Sequence, residues 1–445
     1  MKIELPEKVS QILKQIQAAG FEAYAVGGCV RDSILGRTPD DWDITTSAKP
    51  GQIKEIFRRT VDTGIQHGTV TVMLDKEGFE VTTYRVDGEY EDSRHPKEVL
   101  FTASLEEDLK RRDFTINAMA YNESAGLVDI FGGIKDLEKG IIRCVGNPME
   151  RFTEDALRIM RAIRFSAQLG YEIEENTKTA IEKLAPTLNR ISAERIQVEL
   201  VKLMVSPHPD YLRVAYETGV TKVIFPEWDA AMETAQNHPH HCYSVGEHIL
   251  HSLLYVPADK VLRLAMLLHD IAKPLALETD EAGITHFHGH AQQGEEMAKT
   301  ILRRLRMDND TISKVSRLVR YHDYGNGVEP NGRIVRRAVN KVGEELFPSL
   351  LLVRKADILA QSDYKRDEKL QALAAWEACF GEIVKSGQCV SLKTLAVNGR
   401  DLIEKGFAPG KQLGDILDVL LQDVLENPEH NTREYLLLKA QKTLE

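Results

Sequence analysis

The stretch that most constrains this chain is residues 23–44, AYAVGGCVRDSILGRTPDDWDI. A short apolar run, Ala23 to Val26, reads as a strand that stops at Gly27-Gly28, and Arg31 and Asp32 follow at the start of a helix. Asp41-Trp42-Asp43 comes next. In an extended segment alternate side chains share a face, so Asp41 and Asp43 point together. Two converging carboxylates repel unless a cation lies between them, and hard oxygen ligands suit Mg²⁺. The glycine pair lets backbone N–H groups approach a polyphosphate closely, and Arg31 supplies charge to neutralise it. Gly-Gly pairs are most often turns and Asp-rich stretches most often solvated loops, so neither piece argues alone. Strand, Gly-Gly and Asp-x-Asp in that order predict a metal-dependent nucleotidyl-transfer site.

These residues resemble motif A of the DNA polymerase beta-like nucleotidyltransferases. The form GGxVRDxxLG followed by DxD resembles the class II branch, which holds the CCA-adding tRNA nucleotidyltransferases and bacterial poly(A) polymerases. The likeness continues downstream. Residues 108–120, DLKRRDFTINAMA, resemble motif B, in which Arg112 contacts the nucleotide phosphates and Asn117 lies near the sugar. Asp129 to Leu137 resembles motif C, a turn between head and neck. Ile191 to Leu200 resembles motif E, a stabilising helix for which Ser192 is the expected N-cap. Glu80 sits in the strand where this superfamily often places a third acidic residue. Residues 86–103 read as a mobile loop, which the family ties to the switch from CTP to ATP and shortens in enzymes that add only CC.

Residues 151–171, RFTEDALRIMRAIRFSAQLGY, read as one amphipathic helix with Leu157, Met160, Ile163 and Leu169 on its apolar face. Asp155 and Arg158 are three apart and so neighbours on that helix, a pairing often worth no more than roughly 0.2–0.5 kcal/mol. It also sets one acceptor beside one donor. Cytosine and adenine each present an exocyclic amine next to a ring-nitrogen acceptor, and guanine and uracil present the opposite order. An Asp–Arg pair therefore accepts C and A and leaves unpaired groups against G and U. The EDxxR pattern resembles motif D, where the protein replaces the template, and the resemblance sets Arg161 and Arg164 near the triphosphate.

Residues 238–360 carry most of the histidines. His and Asp side chains spread over several helices can converge on metal in a bundle. The set resembles the HD phosphohydrolase superfamily, which implies a first metal held by His248, His269, Asp270 and Asp357. His290 and His322 are then candidate ligands of a second divalent metal. His238, His240 and His241, beside Asn237 and Pro239, receive no role.

The resemblance implies an α+β fold: a polymerase beta-like α/β head followed by an all-helical neck, body and tail that include an HD-type helical domain. The expected division is 1–140 head, 141–235 neck with the nucleobase-reading helix, 236–365 HD-type domain and 366–445 tRNA-binding tail. The length, 445 residues, suits several domains. A net charge of −11 argues against non-specific nucleic-acid binding by the whole surface. Local basic clusters remain, among them Lys110-Arg111-Arg112, Arg303/Arg304/Arg306 and Arg333/Arg336/Arg337. The five cysteines form no C-x-x-C pair and read as free thiols of a reducing compartment. No signal segment is evident and no run approaches about 18 apolar residues. A cytoplasmic enzyme without a membrane partner is expected. The expected activity is addition of C, C and A to the tRNA 3′ acceptor end from CTP and ATP, with Mg²⁺. A CC- or A-adding enzyme and a poly(A) polymerase are the alternatives within the family. A metal-dependent HD phosphohydrolase is the alternative outside it.

Overall fold

A computed structural model describes residues 2–87 and 99–442. The chain divides into two units, Met1–Pro226 and Glu227–Glu445.

In the first unit, alternating apolar runs give β1 (Ala23–Val26), β2 (Ile44–Thr46), β3 (Thr60–Gly64), β4 (Thr69–Leu74) and β5 (Glu77–Thr83). The short strands β6 (Arg85–Asp87) and β7 (Val99–Phe101) pair antiparallel with each other. Of the mobile loop expected over 86–103, residues 88–98 lie outside the described residues, and its two ends belong to these strands. Then come β8 (Met119–Asn122) and β9 (Gly126–Asp129). Seven strands form one mixed sheet in the order β3-β4-β5-β2-β1-β8-β9, in which β2 and β5 run parallel. The turn between β4 and β5 is two residues long. Asp75 and Lys76 alone make it, with φ of 47° and 71°, the left-handed pair that matches strand twist in a two-residue hairpin.

Helix α1 (Glu7–Ala18) packs on this sheet because Val9, Ile12, Leu13 and Ile16 recur at helical spacing. They share a core with Ile44, Val70, Val72, Phe79 and Val81, each such side chain contributing about 1.5–3 kcal/mol by burial. Around the sheet lie α2 (Gly28–Ile34), α3 (Pro50–Ile56), α4 (Leu105–Lys110) and α5 (Gly133–Lys139). Asp129 closes the turn into α5 by accepting from Gly133 and Ile134 N–H at 2.7 and 2.9 Å.

The expected single helix over 151–171 is two. Helix α6 (Pro148–Glu154) stops before Asp155, whose backbone is extended (φ −141°, ψ 103°), and α7 (Leu157–Leu169) begins beyond it. The Asp155 carboxylate accepts from Leu157 N–H at 3.0 Å. A short acidic side chain that bonds nearby backbone competes with helix continuation, so Asp155 ends one helix and starts the next. Helices α8 (Glu175–Leu184) and α9 (Ala193–Met204) complete this layer. Ser192 stands at the α9 N-cap, yet its side chain makes no capping bond. The chain after residue 140 is also not purely helical. Ile141–Ile142 pairs parallel with Glu172–Ile173, and Glu278–Thr279 pairs antiparallel with Thr285–His286.

The second unit is built mainly from helices. Val245–Leu253, Lys260–Leu268, Asn309–Tyr321 and Phe347–Ala360 pack on one another, and His290–Arg304 lies along Asn309–Tyr321. A separate apolar cluster, including Leu402, Leu420, Val424 and Leu436, organises the C-terminal helices. Among the described residues no helix is long and apolar enough to cross a membrane.

Candidate functional site

Trp42 packs against the apolar core of the first unit, so Asp41 and Asp43, one residue to either side, face the opposite way. The Asp43 carbonyl accepts from Val26 N–H at 3.0 Å, which extends the β1–β2 ladder past the strand end. Ile44 pairs with Val81, a register that brings Glu80 on β5 beside Asp43. The Asp43 carboxyl is raised above the usual carboxylate range by crowding away from water, then by Asp41 and Glu80, while Arg112 opposes them. Three acidic side chains thus meet on one sheet face. A hard divalent cation answers that repulsion, and the oxygen-only donor set fits Mg²⁺.

Gly27 adopts φ +85°, and a Cβ there would lie 3.1 Å from Arg112 Nη1. The glycine is required twice, for its backbone and for the guanidinium against it. Arg112 Nε is buried with no hydrogen-bond partner among the described residues, a donor left over for a phosphate oxygen. Sequence reasoning missed the residue that aims this arginine. Asp108, fully buried, accepts from Arg111 at 2.8 and 3.0 Å, from Thr45 Oγ1 at 3.0 Å, and lies 3.5 Å from Arg112 Nη2. The i,i+3 and i,i+4 spacing to Arg111 and Arg112 was the available signal.

Gly28 opens α2, and Arg31 on that helix is buried. Arg31 forks onto Asp32 at 2.9 and 2.8 Å and donates from Nη1 to Asn117 Oδ1 at 2.7 Å. Asn117 in turn donates to Asp113 Oδ1 at 3.2 Å, and Arg161 closes on Asp113 Oδ2 at 2.7 and 2.6 Å. Burial alone would raise the Asp113 pKa, but Arg161 and its hydrogen bond bring it down to about 2. This carboxylate therefore stabilises the fold above the ordinary carboxylate range, and that contribution fades as pH falls toward 2. Asp113→Ala strands the Asn117 amide and removes the partner of a partly exposed Arg161, and is expected to cost about 1–3 kcal/mol in a denaturant titration at neutral pH.

Asp155 and Arg158 do not pair with each other. Asp155 Oδ2 takes Arg195 Nη2 at 2.8 Å. Arg158 donates to Glu154 Oε2 at 2.7 Å and to the Arg111 carbonyl at 3.0 Å. The helix break at Asp155 is the cause, since the two residues no longer share a helical face. Arg164 is buried against Glu199 at 2.5 Å and Gln168 at 2.6 Å, its guanidinium 3.8 Å from the Phe165 ring centroid. These partners already occupy its hydrogen-bonding edge.

In the second unit, six predicted residues come together. His248 Nε2 lies 3.2 Å from His269 Nε2 and 3.0 Å from Asp357 Oδ1. His290 Nε2 lies 3.3 Å from His322 Nε2. Asp270 stands between the pairs: Oδ2 is 3.3 Å from His269 and 3.6 Å from His248, and Oδ1 is 3.3 Å from His290 and 3.5 Å from His322. Each imidazole Nδ1 meets a backbone carbonyl, those of Ala360, Met266, Phe287 and Val319. A carbonyl only accepts, so each Nδ1 carries a hydrogen and each Nε2 faces the carboxylates, the atom left for a metal once its proton is displaced. Burial would raise both carboxyls; His269 and Lys273 beside Asp270, and His248 and His269 beside Asp357, hold them well below their usual range. The donor set fits a two-ion centre: two groups of ligand atoms close enough to share an ion have Asp270 in common. Lys273, absent from the sequence reading, sits 2.7 Å from Asp270 Oδ2.

A model described as the Poly A polymerase head domain matches residues 23–143, and a tRNA nucleotidyltransferase domain 2 model matches 275–440. The CCA-adding enzyme of Enterococcus faecalis is 36% identical, with 98% of this chain and 96% of that protein covered. That of Latilactobacillus sakei is 38% identical, with 96% of each covered. The crystal structure of the Bacillus stearothermophilus CCA-adding enzyme in complex with CTP superposes with a TM-score of 0.75 at 29% identity, covering 99% of this chain and 98% of that one. The Thermotoga maritima CCA-adding enzyme complexed with tRNA shares the fold, with a TM-score of 0.58 at 21% identity over 100% of both chains. A polymerase beta-like head on a helical body, matched over nearly its whole length by these relatives, belongs to the CCA-adding enzyme family.

Proposed function

We infer that this chain adds C, C and A, without a template, to the 3′ end of tRNA from CTP and ATP and releases pyrophosphate. One observation carries the reading: Asp41, Asp43 and Glu80 act together beside Arg112, whose Nη1 lies against Gly27 and whose Nε has no hydrogen-bond partner among the described residues. Asp41 and Asp43, with Glu80 adjacent, are the residues that would hold Mg²⁺. When bound, the ion favours ionisation of the attacking 3′-hydroxyl and offsets charge on the leaving pyrophosphate. Gly27 and Gly28 admit the triphosphate to the backbone, and Arg112 donates to its oxygens. Arg31 and Asn117 fix the edge of that cradle, and Arg161 braces it through Asp113. Asp155 and Arg158 are the proposed base readers, released from Arg195 and Glu154 when a base is present. The test uses purified protein, Mg²⁺ and tRNA lacking its terminal CCA, with CTP and ATP supplied separately and together. Three added nucleotides requiring both is the expected result. Two from CTP alone, a single A on a CC end, or a long A tract would replace this reading with a partial adder or a poly(A) polymerase.

Arg158→Ala is expected to raise misincorporation from GTP and UTP by about tenfold to a hundredfold, the range that one good base contact commands. The CTP KM should change less. Unchanged rejection of GTP and UTP would remove Arg158 from base reading.

A second activity is favoured by the ligand cluster of the second unit. His248, His269, Asp270, Asp357, His290 and His322 are proposed to hold two divalent ions and to hydrolyse a phosphate ester. Imidazole-rich donors select a transition metal over Mg²⁺, so the two centres have different metal requirements. Free cysteines, three of them buried, support a reducing, cytoplasmic setting.

A further inference from the structure

A cavity of about 960 Å³ opens beside the second ligand cluster, lined by Asp270, His290, His322 and Asp357 but also by Lys273, Arg354 and Lys369. The charged lining residues outside the donor set decide what enters. Of these, Lys273 and Arg354 are buried, Asp323 and Lys369 are half-buried, and Glu329, Lys365 and Glu368 are exposed. Lys273 is committed, to Asp270 at 2.7 Å and to Gln236 Oε1 at 2.9 Å. Arg354 is not. It is 5% exposed, stacks with its guanidinium 5.0 Å from the Trp376 ring centroid, and donates from Nη2 to Asn326 Oδ1 at 3.1 Å. Among the described residues its Nε is buried without a hydrogen-bond partner, and Asp357 and Asp323 act on it without forming an ion pair.

An unpaired buried charge is costly for a fold to keep. A stacked guanidinium matches the planar fork that oxyanions accept. A second cation stands close by. Lys369 donates to Gln361 Oε1 at 2.6 Å, and Gln361 donates to Asp357 Oδ1 at 3.0 Å, which ties it to the ligand set. A neutral acceptor could take the Nε hydrogen but would leave the guanidinium charge unanswered, whereas an oxyanion meets both.

We infer that Arg354 is a specificity-determining residue of the second unit, presenting its guanidinium to the phosphoryl oxygens of a small phosphate ester in this cavity, with Lys369 as the second cationic contact. The inference deepens the two-ion reading, but the anion contact belongs to Arg354 itself. Calorimetric titration of inorganic phosphate into the full-length protein tests it, with bound metal measured on the same samples. Wild type is expected to bind phosphate, and Arg354→Met to weaken that binding by about tenfold or more at unchanged metal content. Arg354→Lys, which keeps the charge and loses the fork, should fall between, and Lys369→Met should weaken binding with no effect on the core. If Arg354→Met melts early, Arg354→Lys and Lys369→Met decide. Equal phosphate affinity across wild type and variants, or no binding by wild type, overturns the inference. Arg354-dependent phosphate binding by protein that retains no metal supports the anion contact and sinks the two-ion reading, so the two fail separately.

Discussion

Asp43→Ala is expected to lower nucleotide transfer by about a thousandfold or more, because it removes one of the carboxylates that would hold the ion opposing charge in the transition state. The same substitution should leave the fold intact and, without divalent ion, slightly harder to melt. The sign follows from its surroundings. Crowding and the neighbouring Asp41 and Glu80 raise the folded-state pKa of Asp43. An acid that ionises more easily when unfolded penalises folding as pH rises through its folded pKa. Removing it therefore relieves repulsion at neutral pH. Thermal melts with and without Mg²⁺, beside a transfer assay, separate the effects. Wild-type rates in Asp43→Ala, or a collapse of its melting temperature without Mg²⁺, would contradict this account.

The second large effect is expected at Asp270. Its two oxygens reach both histidine pairs, so Asp270→Asn should weaken both proposed ions together, by about a hundredfold or more. His322→Ala should empty only the half it shares with His290. Asparagine keeps an oxygen for Lys273, which limits the structural cost that alanine would bring. Metal content by mass spectrometry after dialysis reads the result directly. Transfer to tRNA with Mg²⁺ should be unchanged, since the transfer residues all belong to the first unit. Independent loss at the two halves would show that Asp270 does not join them.

What the sequence made legible follows the reach of each interaction. Asp41 and Asp43 could be read as a pair because strand alternation is local and Trp42 fixes the buried side. Gly27 was legible because its neighbours are the strand before it and the helix after it. Arg31 was legible as a cation, but not its clamp on Asn117, which lies 86 residues away. The histidines of the second unit could be gathered by type and order. Their inward-turned Nε2 atoms depend on four carbonyls that no pattern marks. The break at Asp155 was hidden because α7 carries a clean apolar face and the residues ahead of it fit the same period. Only the competing bond from the Asp155 carboxylate to Leu157 N–H ends that helix.

Asn117 has an evolutionary consequence. Its amide presents an acceptor to Arg31 and a donor to Asp113 at once. Aspartate offers no donor and would crowd Asp113 with like charge; leucine would strand both neighbours. Glutamine has the right atoms on too long an arm. The position tolerates no exchange that keeps both bonds, so Asn117 is held for as long as Arg31 and Asp113 are. Random libraries selected for transfer should return Arg31, Asn117 and Asp113 together far more often than any one of them without the other two.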